Sequence, residues 1–367
     1  GLEAIRKRPG MYVGSTGRRG LHFLVYGAVG RALRRGEGSV DVTLLSDGGV
    51  RVSDDGPGTP FETAAGDLPG LEDELTRLCG GGEPDGHRAV WLDHFGVGLS
   101  VVNALSTRLT AEVRREGVRA TQEYARGVAL APPRSAGPAT GTGTTLVFRP
   151  DAEIFETTEC AYDELAERFA ELALLNRGLR LSLTDERRPG TVRTERFAGG
   201  VRDLVALLET PGGAPVSSDV LVFETEDPGM AGSVEVGLRW SGSGTGVRGF
   251  ANSLRTHEGG AHIEGFRAGL AAAVTAYARE RRLLTAADPA LAADRIDAGL
   301  TAVVSVKLDR PEFQGATRTC LVGAEVRSGV EDTVRDHVRS WLEGHPEEAS
   351  AVVRRVARGA DREADGA

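Results

Sequence analysis

Apolar positions along the chain recur with two periods. From Leu21 to Leu33 the series Leu21, Leu24, Val25, Ala28, Val29 and Ala32 steps by three or four, which predicts a helix with one buried face. Val40, Val42 and Leu44 alternate, Asp47-Gly48-Gly49 turns the chain, and Val50 and Val52 alternate again, so a hairpin follows. Asp54 to Pro60 is a turn-rich loop, and Gly66 to Gly98 reads as irregular. A helix is predicted from Leu99 through Leu105 and a second hairpin from Leu109 to Tyr124 around Glu116-Gly117. A strand follows at Thr144 to Phe148, and then a helix from Glu159 to Asn176 that Gly178 ends. Leu179, Leu181 and Leu183, with Thr191 to Arg196, complete a third hairpin around Pro189-Gly190. The first 17 residues carry turn chemistry at Arg8-Pro9-Gly10. Together these elements predict an α+β layer, an antiparallel sheet with helices on one face.

A Gly/Pro-rich stretch, Pro211 to Ser218, lies near the next boundary. Beyond it Val234, Val236, Leu238 and Trp240 alternate as a strand. Ile263, Phe266, Leu270, Val274 and Tyr277 mark a helix face, Leu300 to Leu308 a strong strand, and Val330, Val334, Val338 and Trp341 a further helix face. The charged tail from Glu347 is expected to fray. At 367 residues the chain is long enough for two domains, placed at 1–200 and 201–367.

Composition narrows the class. Apolar residues make up 40% of the chain, enough to build a core, so disorder is excluded for most of it. No apolar run is long enough to span a membrane, and no N-terminal segment reads as a secretory signal. The three cysteines, Cys79, Cys160 and Cys320, are far apart and suggest neither a disulfide framework nor a metal site, so a cytoplasmic chain is expected. The net charge of −9 argues against a protein that coats nucleic acid over its whole surface, while leaving room for a local basic face. Arg31, Arg34 and Arg35 form such a stripe on the first long helix, read as a solvated helix face in preference to a docking surface.

Three glycine-centred signals bear on chemistry. Asp54-Asp55-Gly56-Pro57-Gly58 follows a strand, Gly96-Val97-Gly98 opens a helix, and Thr142-Gly143-Thr144 begins a strand. Taken singly each fits a tight turn; Gly-x-Gly at a helix start also fits a phosphate cradle, because its amides face the anion. Their order, with several longer motifs, carries a resemblance. Gly1-Leu2-Glu3-Ala4-Ile5-Arg6-Lys7-Arg8-Pro9-Gly10-Met11-Tyr12-Val13-Gly14 resembles the opening of the DNA gyrase B family. Phe95-Gly96-Val97-Gly98-Leu99-Ser100-Val101-Val102-Asn103-Ala104 is similar to its phosphate-loop segment. Phe250-Ala251-Asn252, Glu258-Gly259-Gly260-Ala261-His262 and Gly265-Phe266 resemble its transducer signature, and the likeness runs from Gly1 to about Arg358. His262 is read as packing beneath a helix.

The resemblance implies a GHKL (Bergerat-type) ATPase domain followed by an α/β transducer domain, a pair that in this family closes as an ATP-driven clamp on DNA. It also implies a chain without the family's N-terminal arm or acidic Mg²⁺ domain. By residue, it sets Asp54 at the adenine-recognising aspartate, with a strand-end turn as the competing role, and Thr144 beside that base. Gly58, Gly96, Val97 and Gly98 fall on the nucleotide loops, and Arg318 on a lysine that contacts the γ-phosphate.

The departures lie at the chemistry. Gly27 stands where the family has its water-activating glutamate, and Arg31 where it has its Mg²⁺-holding asparagine. Arg31 either offers its charge to phosphate in place of the metal, or faces solvent, or pairs with a neighbouring acid. Glu83 replaces a lid lysine, Asp93-His94 brings bulk into the lid, and Ala316-Thr317-Arg318 replaces glutamine-threonine-lysine. Asp55, Asp93 and His94 are the candidate substitutes for the missing base. Pro57 and Thr121 replace two arginines through which the family binds aminocoumarins. The expectation is a hydrolysis-deficient pseudo-ATPase with no catalytic residue and no metal ligand. Its cofactor is ATP or another adenine nucleotide, bound weakly or not at all and without magnesium, and it acts by binding a second copy, a gyrase-type subunit, DNA or a small ligand, not a membrane. The alternatives are an active ATP-dependent topoisomerase clamp and, less favoured, a cleft recruited to new small-molecule chemistry.

Overall fold

The computed structural model describes residues 1–34, 38–62, 70–78, 90–92, 98–188, 193–209, 216–241, 244–285, 290–291, 293–315 and 318–358. Among these, one compact unit runs to Gly199 and a second begins at Gly200.

The first unit opens with two short helices, α1 (Leu2–Lys7) and α2 (Gly10–Val13), where the sequence pattern suggested only a turn. Helix α3 (Arg18–Arg34) follows, and Leu21, Leu24, Val25, Ala28, Val29 and Ala32 are all buried, as their spacing predicts. Next come β1 (Ser39–Leu44), β2 (Val50–Asp54), α4 (Leu71–Thr76), α5 (Leu99–Ala104), β3 (Ser106–Arg115), β4 (Val118–Ala125), β5 (Val128–Ala129), β6 (Arg134–Pro138), β7 (Gly143–Pro150), α6 (Tyr162–Leu175), β8 (Arg180–Asp185) and β9 (Arg193–Phe197). The strands form one sheet in the order β5-β4-β3-β7-β2-β1-β8-β9, with β6 on β4. All three predicted hairpins are present. The sheet is antiparallel except between β1 and β8, which run parallel because α6 and the segment before it carry the chain back across the sheet. Helix α4 is the element the irregular reading of 66–98 missed; Leu71 and Leu75 are its buried anchors.

The second unit contains α7 (Val201–Leu208), β10 (Leu221–Asp227), β11 (Gly232–Trp240), β12 (Gly246–Ala251), β13 (Leu254–Arg255), α8 (Ala261–Glu280), α9 (Ala293–Ile296), β14 (Leu300–Leu308), β15 (Glu312–Gln314), β16 (Cys320–Val322), α10 (Ala324–Gly344) and α11 (Pro346–Arg358). Its five-stranded sheet has the order β10-β11-β14-β12-β13, with β12 and β14 parallel. Helices α8 and α10 pack closely through small residues: a Cβ on Gly265 or Gly269 would stand 2.3 or 2.4 Å from the carbonyl oxygens of Arg327 and Glu331. His262 lies fully buried at the start of α8 with Nε2 3.0 Å from the Thr256 hydroxyl, and burial pushes its pKa down to about 3. The tail does not fray at Glu347. Ala349, Val352, Val353 and Val356 form the buried stripe of α11, an i, i+3, i+4, i+7 pattern hidden among charged residues.

Candidate functional site

Strand β2 buries alternate residues, Val50, Val52 and Asp54, so the strand's period places the Asp54 carboxylate on the covered face of the sheet. Two backbone amides hold one of its oxygens: Oδ1 accepts from Gly56 at 3.0 Å and from Thr144, at the start of β7, at 3.2 Å. The Thr144 hydroxyl in turn accepts from the Thr59 amide at 3.3 Å. The turn between them needs its glycines. Gly58 has φ +75°, and a Cβ there would meet the Arg114 carbonyl oxygen at 2.4 Å. The Arg115 guanidinium donates to the Gly58 carbonyl at 3.4 Å.

Arg31 completes the constellation. It projects from α3 into the interior and is 2% exposed. Its Nη1 donates to Asp54 Oδ2 at 3.0 Å, its Nη2 to the Thr59 hydroxyl, and its Nε to Glu74 Oε2, on α4, at 3.4 Å. A buried guanidinium thus ties together α3, β2, the loop after β2 and α4. Of the roles the sequence left open for Arg31, the structure displays pairing with neighbouring acids. Its membership of a solvated stripe with Arg34 and Arg35 is corrected by its burial; Arg34 ends α3, and Arg35 lies outside the described residues. The clue was present in the spacing, because Arg31 stands three residues after Ala28 and seven after Leu24, on the face those residues bury.

Gly27 is buried one turn before Arg31 on the same helix. Gly98 caps α5 with extended backbone, while Gly96, Val97, Asp93, His94, Glu83 and Ala316 lie outside the described residues. Arg318 belongs to the second unit, half-buried at φ 53° ahead of β16. Asp55 is committed elsewhere: its Oδ1 accepts from the Ser39 amide at 2.8 Å, at the start of β1. Pro57 is exposed and Thr121 half-buried on β4. Glu74, a partner of Arg31, escaped the sequence reading because helix α4 did.

The fold is that of a class of solved ATPase domains. The 43K ATPase domain of Thermus thermophilus gyrase B, solved in complex with an aminocoumarin, matches with a TM-score of 0.80 and 32% identity, covering 100% of this chain and 98% of that one. The topoisomerase IV ATP-binding domain of Francisella tularensis, solved with a small-molecule inhibitor, matches with a TM-score of 0.79 and 25% identity, covering 99% and 98%. The family model for DNA gyrase B matches residues 200–365. The DNA gyrase B protein of Streptomyces coelicolor is 43% identical over 379 residues, 97% of this chain and 55% of that protein. Its counterpart in Mycolicibacterium smegmatis is 40% identical over 393 residues, 97% and 58%. The chain belongs to the DNA gyrase B family. It spans somewhat more than half the length of these curated relatives. Among the described residues no helix is long and apolar enough to cross a membrane.

Proposed function

We propose that this chain is a gyrase-B-like ATPase/transducer module that acts by binding and hydrolyses little or no ATP. Two positions one turn apart on α3 support the reading. Gly27, at the family's glutamate position, is a buried residue with no side chain to accept a proton. Arg31, at the family's Mg²⁺-ligand position, is a donor-only group that cannot coordinate a cation and whose charge opposes one. Magnesium therefore does not fit the groups present, and no hydrolytic step runs through it. A positioned general base contributes roughly 10²–10⁴-fold in rate. Asp55, one candidate substitute, already spends an oxygen on the Ser39 amide.

An adenine nucleotide remains the proposed ligand, bound weakly and without metal, through Asp54, Gly58, Gly98 and Thr144 with the loop residues Gly96 and Val97. A second copy, a gyrase-type subunit or DNA is the proposed partner. Steady-state ATP turnover with and without duplex DNA tests the proposal: it should stay at the protein-free background. Gly27→Glu combined with Arg31→Asn should raise it only in part, since Glu83, His94 and Ala316 are unchanged. Ordinary gyrase-like turnover by the unaltered chain would contradict the reading and favour a working clamp.

A further inference from the structure

Arg31 does more than leave a metal position without a ligand. The Asp54 carboxylate has one oxygen, Oδ1, already shared between the Gly56 and Thr144 amides, so Oδ2 is the oxygen left to read a ligand. Nη1 of Arg31 sits on that oxygen at 3.0 Å. The guanidinium is planar, and its other two nitrogens meet acceptors on different elements, Thr59 and Glu74, so its plane is fixed from three directions.

We propose that Arg31 is a built-in occupant of the base-reading end of the cleft, its Nη1–H standing at Asp54 Oδ2 in place of a ligand amino N–H, so that adenine binds only by displacing it and therefore weakly. The inference rests on Asp54 being the base-recognising carboxylate of the proposed function. To admit a base, Arg31 must leave. An uncharged amino group in its place removes the guanidinium from two carboxylates, Asp54 and Glu74, whose side chains are 8% and 18% exposed. Charge so placed is disfavoured without a counter-charge. The apparent affinity for nucleotide is reduced by the fraction of molecules in which Arg31 has swung away.

The test is titration of the whole chain with a fluorescent, non-hydrolysable ATP analogue. Four proteins are compared: the unaltered chain, Arg31→Lys, Arg31→Asn with Glu74→Gln, and that double variant carrying Asp54→Asn. The double variant removes one positive and one negative charge together, so the net charge of the cluster is unchanged. It is expected to bind at least about tenfold more tightly than the unaltered chain, because the competing occupant is gone. Asp54→Asn should abolish the gain. Equal affinity of the unaltered chain and the double variant, or a gain that survives Asp54→Asn, overturns the inference. If circular dichroism shows the double variant unfolded, Arg31→Lys decides: tighter binding than the unaltered chain supports the occupant, equal binding overturns it. An unaltered chain that binds tightly yet turns over no ATP defeats this inference, and with it the weak binding, but leaves the absence of hydrolysis standing. One that binds weakly yet turns over ATP defeats the proposed function alone.

Discussion

At the residue scale Arg31 shows how one buried guanidinium organises its surroundings. On the buried face of α3 a side chain must be apolar or find partners, and a guanidinium long enough to reach Asp54, Thr59 and Glu74 finds all three. Truncating it leaves Asp54 and Glu74 without their shared cation. Arg31→Ala should therefore cost about 3–5 kcal/mol of stability, read from urea denaturation, where an exposed arginine would cost less than about 1 kcal/mol. Gly58 supplies a second check. Its φ of +75° and the Arg114 carbonyl only 2.4 Å from a prospective Cβ mean that Gly58→Ala should destabilise by at least about 1–3 kcal/mol. The burial of Arg31 was legible in part: its register with Leu24 and Ala28 is in the sequence, but its acceptors are not, since Glu74 is 43 residues away.

At the element scale, strong periodicity is legible in the sequence and periodicity hidden among charged residues is not. The α3 face, the three hairpins and the strand Leu300–Leu308 carry enough apolar residues at a fixed period to be seen without tertiary context. Helix α11 hides four small apolar residues among Glu347, Glu348, Arg354 and Arg355, and only packing against the second core makes it a helix. Val352→Ala should then cost about 2 kcal/mol, measurable as a lower denaturation midpoint; a fraying tail would lose nothing. Helix α4 was missed because six residues hold too few turns for a period to show. At the start of α8, His262 gives a pH signature. Its pKa is about 3 in the folded chain and near 6.5 unfolded, so the unfolded state binds the extra proton between those values. Its contribution to stability is whole above about pH 6.5 and declines as pH falls toward 3, by up to roughly 1.4 kcal/mol per pH unit. Denaturation of the unaltered chain and of His262→Gln between about pH 7 and 4 should show the steeper loss in the unaltered chain.

On the scale of the whole molecule, both units fold as solved gyrase-B-type domains do, and the proposed loss of hydrolysis rests chiefly on two positions of one helix, Gly27 and Arg31. The sheet that presents Asp54 and Thr144 is intact, and the turn glycine Gly58 keeps the left-handed conformation that the loop requires. What the sequence could state about this site was the identity of Gly27 and Arg31. What it could not state was the direction in which Arg31 points, because that depends on acceptors from three separate elements meeting in space. On the proposed reading, Gly27 and Arg31 themselves offer no group to hold a divalent ion beside a bound nucleotide. Calorimetric titration with a non-hydrolysable ATP analogue, in magnesium and in chelator, tests this most directly. The account predicts weak heats that are the same in both conditions. Saturable binding that appears only with magnesium would contradict it.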